Sequence, residues 1–271
     1  MLTIPWISAR RAYLAAFALG SVTLFVGLAA GVYYSVSTGG LLPTLAPPGD
    51  IQDDLRTYLV QGRHKQAITQ MKILLRLPDQ NIARYRVHAV LGDVLLAQGE
   101  VDEAVHHYLR TIELSPSIPS IHNNLGVAYL KKNDPDRARE AFEAEIRINP
   151  GHDYACNNLG LIFEKQGKLT EAEAYFQRAV RNNPQMIEAH FNLGNVLMQQ
   201  EQLDPAIEQF QEALRINPNF AAVHNNLGIA LERRGHVDEA VGHFRRALQI
   251  EPTLADARNN LNRAMRPARQ P

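Results

Sequence analysis

Apolar residues recur at helical rather than alternating spacing from about Tyr85 to Pro252, and the whole pattern repeats every 34 residues. Apolar positions three or four residues apart fall on one face of a helix. In the period 119–152 they predict a first helix over about 120–132 and a second over about 136–148. Each period therefore predicts a pair of helices, and the pairs follow one another along the chain.

Four columns of similar residues run through five successive periods at a fixed spacing. Leucine precedes glycine at Leu91-Gly92, Leu125-Gly126, Leu159-Gly160, Leu193-Gly194 and Leu227-Gly228. An alanine stands 12 residues after each glycine, at Ala104, Ala138, Ala172, Ala206 and Ala240. An aromatic residue follows four positions later, at Tyr108, Phe142, Phe176, Phe210 and Phe244. Each period closes on a proline, at Pro116, Pro150, Pro184, Pro218 and Pro252.

These columns predict how the two helices of a pair pack and where they begin and end. A glycine in mid-helix costs about 1 kcal/mol relative to alanine, so a fixed glycine indicates close packing of the second helix. We expect the aromatic side chains to fill the space between one repeat and the next. Good N-cap residues precede the second helix, at Asp102, Asp136, Thr170, Asp204 and Asp238. An asparagine before the closing proline ends it, at Asn149, Asn183 and Asn217.

One residue departs from the packing pattern. Glu145 occupies the position at which later periods have Ala179, Ala213 and Ala247. A carboxylate at a close helix contact must reach solvent or find a hydrogen-bond partner. The packing of this second helix is therefore expected to differ from that of its counterparts.

The 34-residue period and its columns resemble the tetratricopeptide repeat (TPR) family. The resemblance implies an all-α fold, a TPR superhelical solenoid, with repeats at 85–118, 119–152, 153–186, 187–220 and 221–254. Residues 50–84 form a weaker pattern without the Leu-Gly pair, and residues 255–271 repeat only the first helix. Because terminal repeats are usually atypical, we interpret these segments as a divergent TPR-like hairpin and a capping helix with its tail.

The N-terminal part of the chain predicts a membrane anchor. Residues 12–36 contain no charged side chain, and at about 1.5 Å per residue such a helix spans a hydrocarbon core of about 30 Å. Arg10 and Arg11 precede this single transmembrane helix and Asp50 follows it, so residues 1–11 are predicted to be cytoplasmic. A cleaved signal peptide is the alternative. Residues 37–49 are rich in proline and glycine and predict an extended linker.

With this orientation the repeats lie across the membrane from the N-terminus. In a bacterium that location is the inner membrane, with the TPR domain in the periplasm. The arrangement resembles the membrane-anchored bacterial type of TPR protein, and that resemblance implies a role as an assembly factor.

Composition excludes several other classes of protein. The chain has 28 basic and 28 acidic residues, so no net positive field favours nucleic acid. Cys156 is the single cysteine, which excludes an intrachain disulfide and a thiolate metal cluster.

Asparagines form the clearest candidate binding site. One column lies just before the Leu-Gly pair and others stand beside it: Asn124, Asn158, Asn192, Asn226 and Asn260, then Asn123, Asn157, Asn225 and Asn259, and finally Asn195. The ladder resembles the groove of O-linked N-acetylglucosamine transferases, which implies that these side chains face a concave groove and hold a peptide by its backbone. An amide both donates and accepts, so it can bind any peptide unit. The alternative is that the amides bond neighbouring helices to one another.

No pattern in the chain predicts catalysis. Histidines form a column at His88, His122, His190 and His224. Equivalent positions in successive repeats lie about 10 Å apart, too far to share one metal ion, so we expect packed histidines, no metal and no cofactor. No Ser/His/Asp set or phosphate loop is found.

The predicted function is that of a non-enzymatic, membrane-tethered TPR adaptor. It binds a protein segment in its concave groove and thereby assembles or positions partners. The alternative is a structural scaffold that self-associates through its repeats into a homo-oligomer at the membrane.

Overall fold

The chain folds into two compact units, Met1–Pro150 and Gly151–Pro271. The computed structural model describes residues 23–27, 33–37, 57–59, 61–77 and 83–265. In both units a hairpin consists of a first helix, the A helix, and a second, the B helix.

The first unit contains a two-stranded sheet followed by helical hairpins. Strands β1 (Thr23–Gly27) and β2 (Tyr33–Ser37) are antiparallel, with Thr23 opposite Ser37. The helices are α1 (His64–Leu74), α2 (Arg84–Gln98), α3 (Val101–Leu114), α4 (Ile121–Lys131) and α5 (Pro135–Ile148). Helix α2 pairs with α3 and α4 with α5, and the A helices α2 and α4 contact each other.

The two strands lie where the sequence predicts part of a transmembrane helix over residues 12–36. Both strands are rich in β-branched and aromatic residues, which favour extended backbone, so the structure differs from the prediction there. The rest of the predicted helix lies outside the described residues. Within the part of the chain that the structure describes, no helix is both long and apolar enough to cross a membrane. The membrane anchor stays a prediction.

The second unit consists of three hairpins and one further helix among its described residues. Its helices are α6 (Asp153–Lys165), α7 (Leu169–Asn182), α8 (Ile187–Gln199), α9 (Leu203–Ile216), α10 (Ala221–Arg233), α11 (Val237–Ile250) and α12 (Ala255–Ala264). The A helices contact one another in order, α6 with α8, α8 with α10, and α10 with α12. The predicted helix pairs are confirmed.

The B helices begin two residues earlier than their predicted N-caps imply. The five predicted caps, from Asp102 to Asp238, are each the second residue of their helix. The cause is a residue with left-handed backbone that ends the loop before each B helix early. These residues have φ between 59° and 93° and are Gly99, Asn133, Gly167, Glu201 and Gly235. The carboxylates still stabilise the first turn, because they lie near the positive end of the helix dipole. The predicted ends are confirmed at Asn149, Asn183 and Asn217.

The glycine of each Leu-Gly pair lies against the aromatic ring of its own hairpin. A Cβ atom added to Gly160 would lie 2.5 Å from Phe176 Cε1, closer than real Cβ contacts come. The same close contact joins Gly92 to Tyr108, Gly126 to Phe142, Gly194 to Phe210 and Gly228 to Phe244. The close packing predicted for the glycines is confirmed. Each ring packs on the glycine of its own hairpin, and the filling of the space between repeats stays a prediction.

Glu145 is fully buried on α5 and caps the start of α4. Its carboxylate accepts the backbone N–H of Ser120 at 3.0 Å and that of Asn123 at 3.4 Å. Helix α4 begins at Ile121, two residues later in its repeat than α6 and α8 begin in theirs. The carboxylate thus satisfies N–H groups that a helix N-terminus leaves unpaired, and this is the partner that the buried acid requires.

We expect Gly160→Ala to destabilise the second unit by about 1–3 kcal/mol, because the added methyl group would overlap the buried ring of Phe176. Gly242→Ala is the matched control. An added Cβ at Gly242, in α11, has no atom within 4 Å, so better helix propensity should stabilise the unit by up to about 1 kcal/mol. Urea unfolding followed by circular dichroism measures both changes, and equal effects would contradict the packing role of the glycine column.

Candidate functional site

The solvent-facing side of the A helices in the second unit is the candidate binding surface. Along α8 and α10, partly exposed side chains recur every three or four residues, and along α6 they stand seven and then three residues apart, which places them on one side of each helix. We call this surface the A face. It comprises Tyr154, Leu161, Glu164 and Lys165 of α6, Glu188, Phe191, Asn195, Met198 and Gln199 of α8, and Ala222, Asn226, Ile229, Glu232 and Arg233 of α10.

Side-chain amides link successive A helices beside this surface. The donor in each link is the asparagine just before the leucine column, and the acceptor belongs to the preceding repeat. In the second unit Asn192 donates to Asn157 at 3.0 Å, Asn226 to Asn195 at 2.7 Å and Asn260 to Asn225 at 2.9 Å. In the first unit Asn124 Nδ2 donates to Asp93 Oδ1 at 3.0 Å.

The acceptor of each link occupies one of two positions in its repeat. It stands either three residues before the glycine, as Asn157 and Asn225 do, or one residue after it, as Asp93 and Asn195 do. The position that is not used for the link carries an apolar residue, namely Leu161, Ile229, Ala89 and Phe191. Each of these repeats therefore supplies one acceptor to the repeat that follows.

Most of the asparagines predicted to line a groove are buried. Asn123, Asn124, Asn157 and Asn158 are at most 3% exposed, and Asn192, Asn225 and Asn260 are at most 9% exposed. Asn195 and Asn226 are half-buried and Asn259 is exposed. The inter-helix alternative accounts for the links described above, and two further bonds join neighbours on one helix, Asn123 to Asn124 at 3.4 Å and Asn225 to Asn226 at 3.0 Å. Ligand binding stays a prediction, and among these side chains Asn195, Asn226 and Asn259 are the accessible ones.

Asn195 is half-buried and makes its link to α10 through its oxygen alone. Its Oδ1 accepts from Asn226, whereas no hydrogen bond occupies its Nδ2 among the described residues. Phe191 and Met198 stand one turn before and one turn after it along α8. The amide N–H groups of Asn195 are thus free to donate to a ligand between two apolar side chains.

The rest of the A face is apolar or already paired. Leu161, Phe191, Met198 and Ile229 are partly buried and pack against the core of the second unit. The polar pairs are Gln199 with Glu164 at 2.6 Å, Arg263 of α12 with Glu232 at 2.6 Å, and Arg233 with Glu201. Burial also raises the pKa of Glu164. The surface therefore presents apolar contacts and little unpaired charge.

Two histidines of the column, His88 and His224, each pair with a second histidine in the same hairpin. His224 Nδ1 lies 3.0 Å from His243 Nδ1, and His88 Nδ1 lies 2.8 Å from His107 Nδ1. The ring centroids are 5.3 Å and 5.0 Å apart, so the rings meet head-on with room for one proton. His224 Nε2–H donates to the carbonyl of Pro218 at 3.1 Å, which leaves its Nδ1 as the acceptor.

The packed histidines were predicted, but their partners on the B helices were not. The signal was available, because a histidine follows 19 residues later in the first and fifth complete repeats. Among the described residues no group of three or more His, Cys, Asp or Glu could hold a metal ion. Cys156 is buried, and burial raises its pKa to about 11, which makes its thiol a poor nucleophile.

Sequence reasoning also missed a buried carboxylate in the first unit. Tyr108 Oη donates to Asp93 Oδ1 at 2.8 Å, and this is the oxygen that accepts from Asn124. Burial raises the pKa of Asp93 to about 7 and raises that of Tyr108 as well. The sequence contains a signal for this pair. Tyr108 stands in a column otherwise made of phenylalanines, and its repeat has an acid, Asp93, directly after the glycine.

Comparison with known protein families identifies the repeat. A family model described as a tetratricopeptide repeat matches residues 55–119, 89–153, 123–187, 157–219 and 191–255. Together the matches span more than half of the chain. The chain belongs to the tetratricopeptide repeat family. The predicted TPR family and its all-α fold are therefore confirmed.

Solved TPR structures resemble this chain. YrrB, described as a TPR protein with an unusual peptide-binding site, is 25% identical with a TM-score of 0.56, over 64% of this chain and 89% of that chain. MamA is 27% identical with a TM-score of 0.55, over 61% and 96%. PilF of Pseudomonas aeruginosa, at 18% identity and a TM-score of 0.67 over 79% and 95%, shows the fold alone. No match was found among curated proteins.

Acid should weaken the TPR hairpins that contain a histidine pair. Burial is the largest cause that lowers the pKa of His107, to about 4, and that lowers the pKa of His88, His224 and His243. The unfolded chain takes up these protons near the ordinary value of about 6.5. The contribution of each pair to stability is therefore complete above about pH 6.5 and is lost as the pH falls below that value.

His243→Gln tests this acid dependence with a residue that the chain already uses. Gln209 occupies the equivalent position, and its amide lies 2.9 Å from His190 Nδ1. Between about pH 7 and pH 4.5, the urea midpoint of His243→Gln should fall less than that of the wild type. His122→Gln is the control, because Ala141 stands opposite His122, and it should keep the wild-type profile. An unchanged profile for His243→Gln would exclude the pair as the cause.

Proposed function

We propose that this TPR protein is a non-enzymatic adaptor that binds an extended, uncharged protein segment on the A face of its second unit. By holding such a segment it assembles or positions partner proteins. The observation that carries the proposal is the free amide donor of Asn195 between Phe191 and Met198. A backbone carbonyl of the segment accepts from Asn195, and apolar side chains of the segment pack on both sides.

The proposed ligand is extended because a helix has its backbone carbonyls occupied by internal hydrogen bonds. It is uncharged because several charged side chains of the A face already have partners, among them Glu232 and Arg233. Lys165 and Glu188 carry opposite charges near opposite ends of their helices, so they favour neither sign. Similarity to YrrB, described as having a peptide-binding site, supports binding of a peptide by this fold.

A selection from a random decapeptide library tests the partner class. The full-length protein is immobilised and the bound peptides are sequenced. We expect enrichment of neutral peptides rich in Leu, Met and Phe, because these side chains fit the apolar parts of the A face. Enrichment of peptides with a shared charged anchor would contradict the proposal. If no peptide is enriched and the protein forms concentration-dependent oligomers, the self-associating scaffold replaces the adaptor.

Asn195→Asp tests the proposed donor on a selected neutral peptide. The substitution keeps an oxygen that can accept from Asn226 but replaces the free donors with an acceptor, so affinity should fall by about tenfold or more. Gln211→Glu, on the exposed surface of α9, adds the same charge away from the A face and should leave affinity unchanged. Fluorescence anisotropy measures both, and equal losses would contradict a specific role for Asn195.

Phe191→Asn tests the apolar part of the site. It introduces the residue that three other repeats have at this position, Asn123, Asn157 and Asn225. Because the apolar ring is lost, binding of neutral apolar peptides should weaken. Circular dichroism checks that the variant folds, since Phe191 also lies near the rings of Phe210 and Phe220.

We further propose that residues 12–36 tether the adaptor to a membrane, on the basis of their length without charge. The full-length chain should stay with membranes after alkaline carbonate extraction, whereas a version without residues 1–49 should be released. Release of the full-length chain would refute the tether, and N-terminal sequencing distinguishes an uncleaved anchor from a cleaved signal peptide.

A further inference from the structure

Three helices of the first unit meet at a single carboxylate oxygen. Asp93 of α2 accepts at Oδ1 both the hydroxyl of Tyr108 on α3, at 2.8 Å, and the amide of Asn124 on α4, at 3.0 Å. Asp93 is 2% exposed. Its second oxygen, Oδ2, is buried and has no hydrogen-bond partner among the described residues. Asp93 thus joins the two helices of its own hairpin, α2 and α3, and it also joins α2 to the next A helix, α4.

This cluster differs from the corresponding positions of the other repeats. The position of Asp93 is occupied elsewhere by Val127, Leu161, Asn195 and Ile229, and that of Tyr108 by Phe142, Phe176, Phe210 and Phe244. The links of the second unit described above join amide to amide, which cannot ionise. Among the links between A helices described above, the link from α2 to α4 is therefore the one whose acceptor is an acid, Asp93.

We propose that Asp93, Tyr108 and Asn124 form a proton-dependent link between α2, α3 and α4, closed when Asp93 is protonated and loosened when it is ionised. The ionised acid holds a negative charge in a dry site with one oxygen unsatisfied, and such burial is costly. Separation of α2 from α4 admits water to that oxygen. The neutral acid avoids the charge penalty and keeps Oδ1 as an acceptor for both donors.

The charged surroundings do not offset this effect. The groups that face Asp93 and influence its pKa are Tyr108 from α3, which is neutral over the ordinary pH range, and the uncharged Asn124 from α4. No lysine, arginine or histidine among the described residues contributes to the shift. Burial is the largest cause, and it outweighs the two hydrogen bonds that favour the ionised form.

The direction of the pH effect follows from the two pKa values of Asp93. The folded protein binds a proton up to about pH 7, whereas an opened link releases it near the ordinary value of about 3.9. Stability of the link is therefore fully present below about pH 4, declines between about pH 4 and pH 7, and is constant above that range. Across this interval the equilibrium constant for opening should rise by up to about tenfold per pH unit.

Removal of the acid and its donor tests the link on the full-length chain. Asp93→Val with Tyr108→Phe installs residues that the repeat 119–152 has at these positions, Val127 and Phe142, so the variant should fold. The difference obtained by subtracting the unfolding midpoint of this variant from that of the wild type should decrease between about pH 4.5 and pH 7.5. Asp93→Asn, which cannot ionise, should lack the decline. Identical profiles for the wild type and the double variant would overturn the proposal.

A transplant tests whether burial of the acid is required. Asn195 accepts from Asn226, and Phe210 occupies the position of Tyr108 against Gly194, but Asn195 is half-buried whereas Asp93 is 2% exposed. Asn195→Asp with Phe210→Tyr, added to the double variant, should therefore leave the profile flat, because solvent reaches the carboxylate and favours its ionised form. A decline between about pH 4.5 and pH 7.5, in a variant that circular dichroism shows to be folded, would refute burial of Asp93 as the cause of the effect.

Discussion

The contact between a glycine and an aromatic ring is the constraint on which the rest of each hairpin depends. In all five complete repeats a Cβ atom on the glycine would overlap the ring, so the A and B helices approach as closely as backbone and ring allow. This approach fixes which side of the A helix is covered. The A face lies beside the covered side, where Phe191, Asn195 and Met198 flank Gly194 and stay partly exposed.

The amide ladder shows how structure competes with binding for the same side chains. A buried amide requires partners, because an unsatisfied polar group in the interior costs about 1–3 kcal/mol. Asn157 and Asn225 use their oxygens to hold the next A helix, which removes those oxygens from ligand binding. Asn195 keeps surface donors because its oxygen alone makes the link. Phe191 occupies the other acceptor position of that repeat, so apolar contact and a free amide lie together.

The fold was predictable because its determinants are local and repeated. Helical spacing, the Leu-Gly pair and the closing proline recur five times, so each copy supports the assignment of the others. Details that depend on backbone geometry were missed. The left-handed residue at Gly99 or Gly235 moves the start of the B helix, and burial of Glu145 depends on the late start of α4.

The candidate site was less predictable, because accessibility depends on neighbouring helices. Asn192 and Asn195 are three residues apart on one helix, yet the first is buried and the second is half-exposed. Sequence spacing places both near the same side of α8 and cannot tell which amide a neighbour covers. The pair Asp93–Tyr108 was visible as a departure from its columns and the pair His224–His243 from a spacing of 19 residues, but only the structure shows that they touch.

The two alternative acceptor positions have a consequence for how the array can change length. The donor asparagine has the same position in each linked repeat, and Asp93, Asn157, Asn195 and Asn225 each provide one acceptor within its reach. Among these linked repeats, duplication or deletion of a whole 34-residue unit would bring a donor next to a different repeat that supplies an acceptor. Recombination between these copies can therefore lengthen or shorten the gene while the donor asparagine keeps an acceptor, and the acceptor position that a repeat does not use is free to diverge.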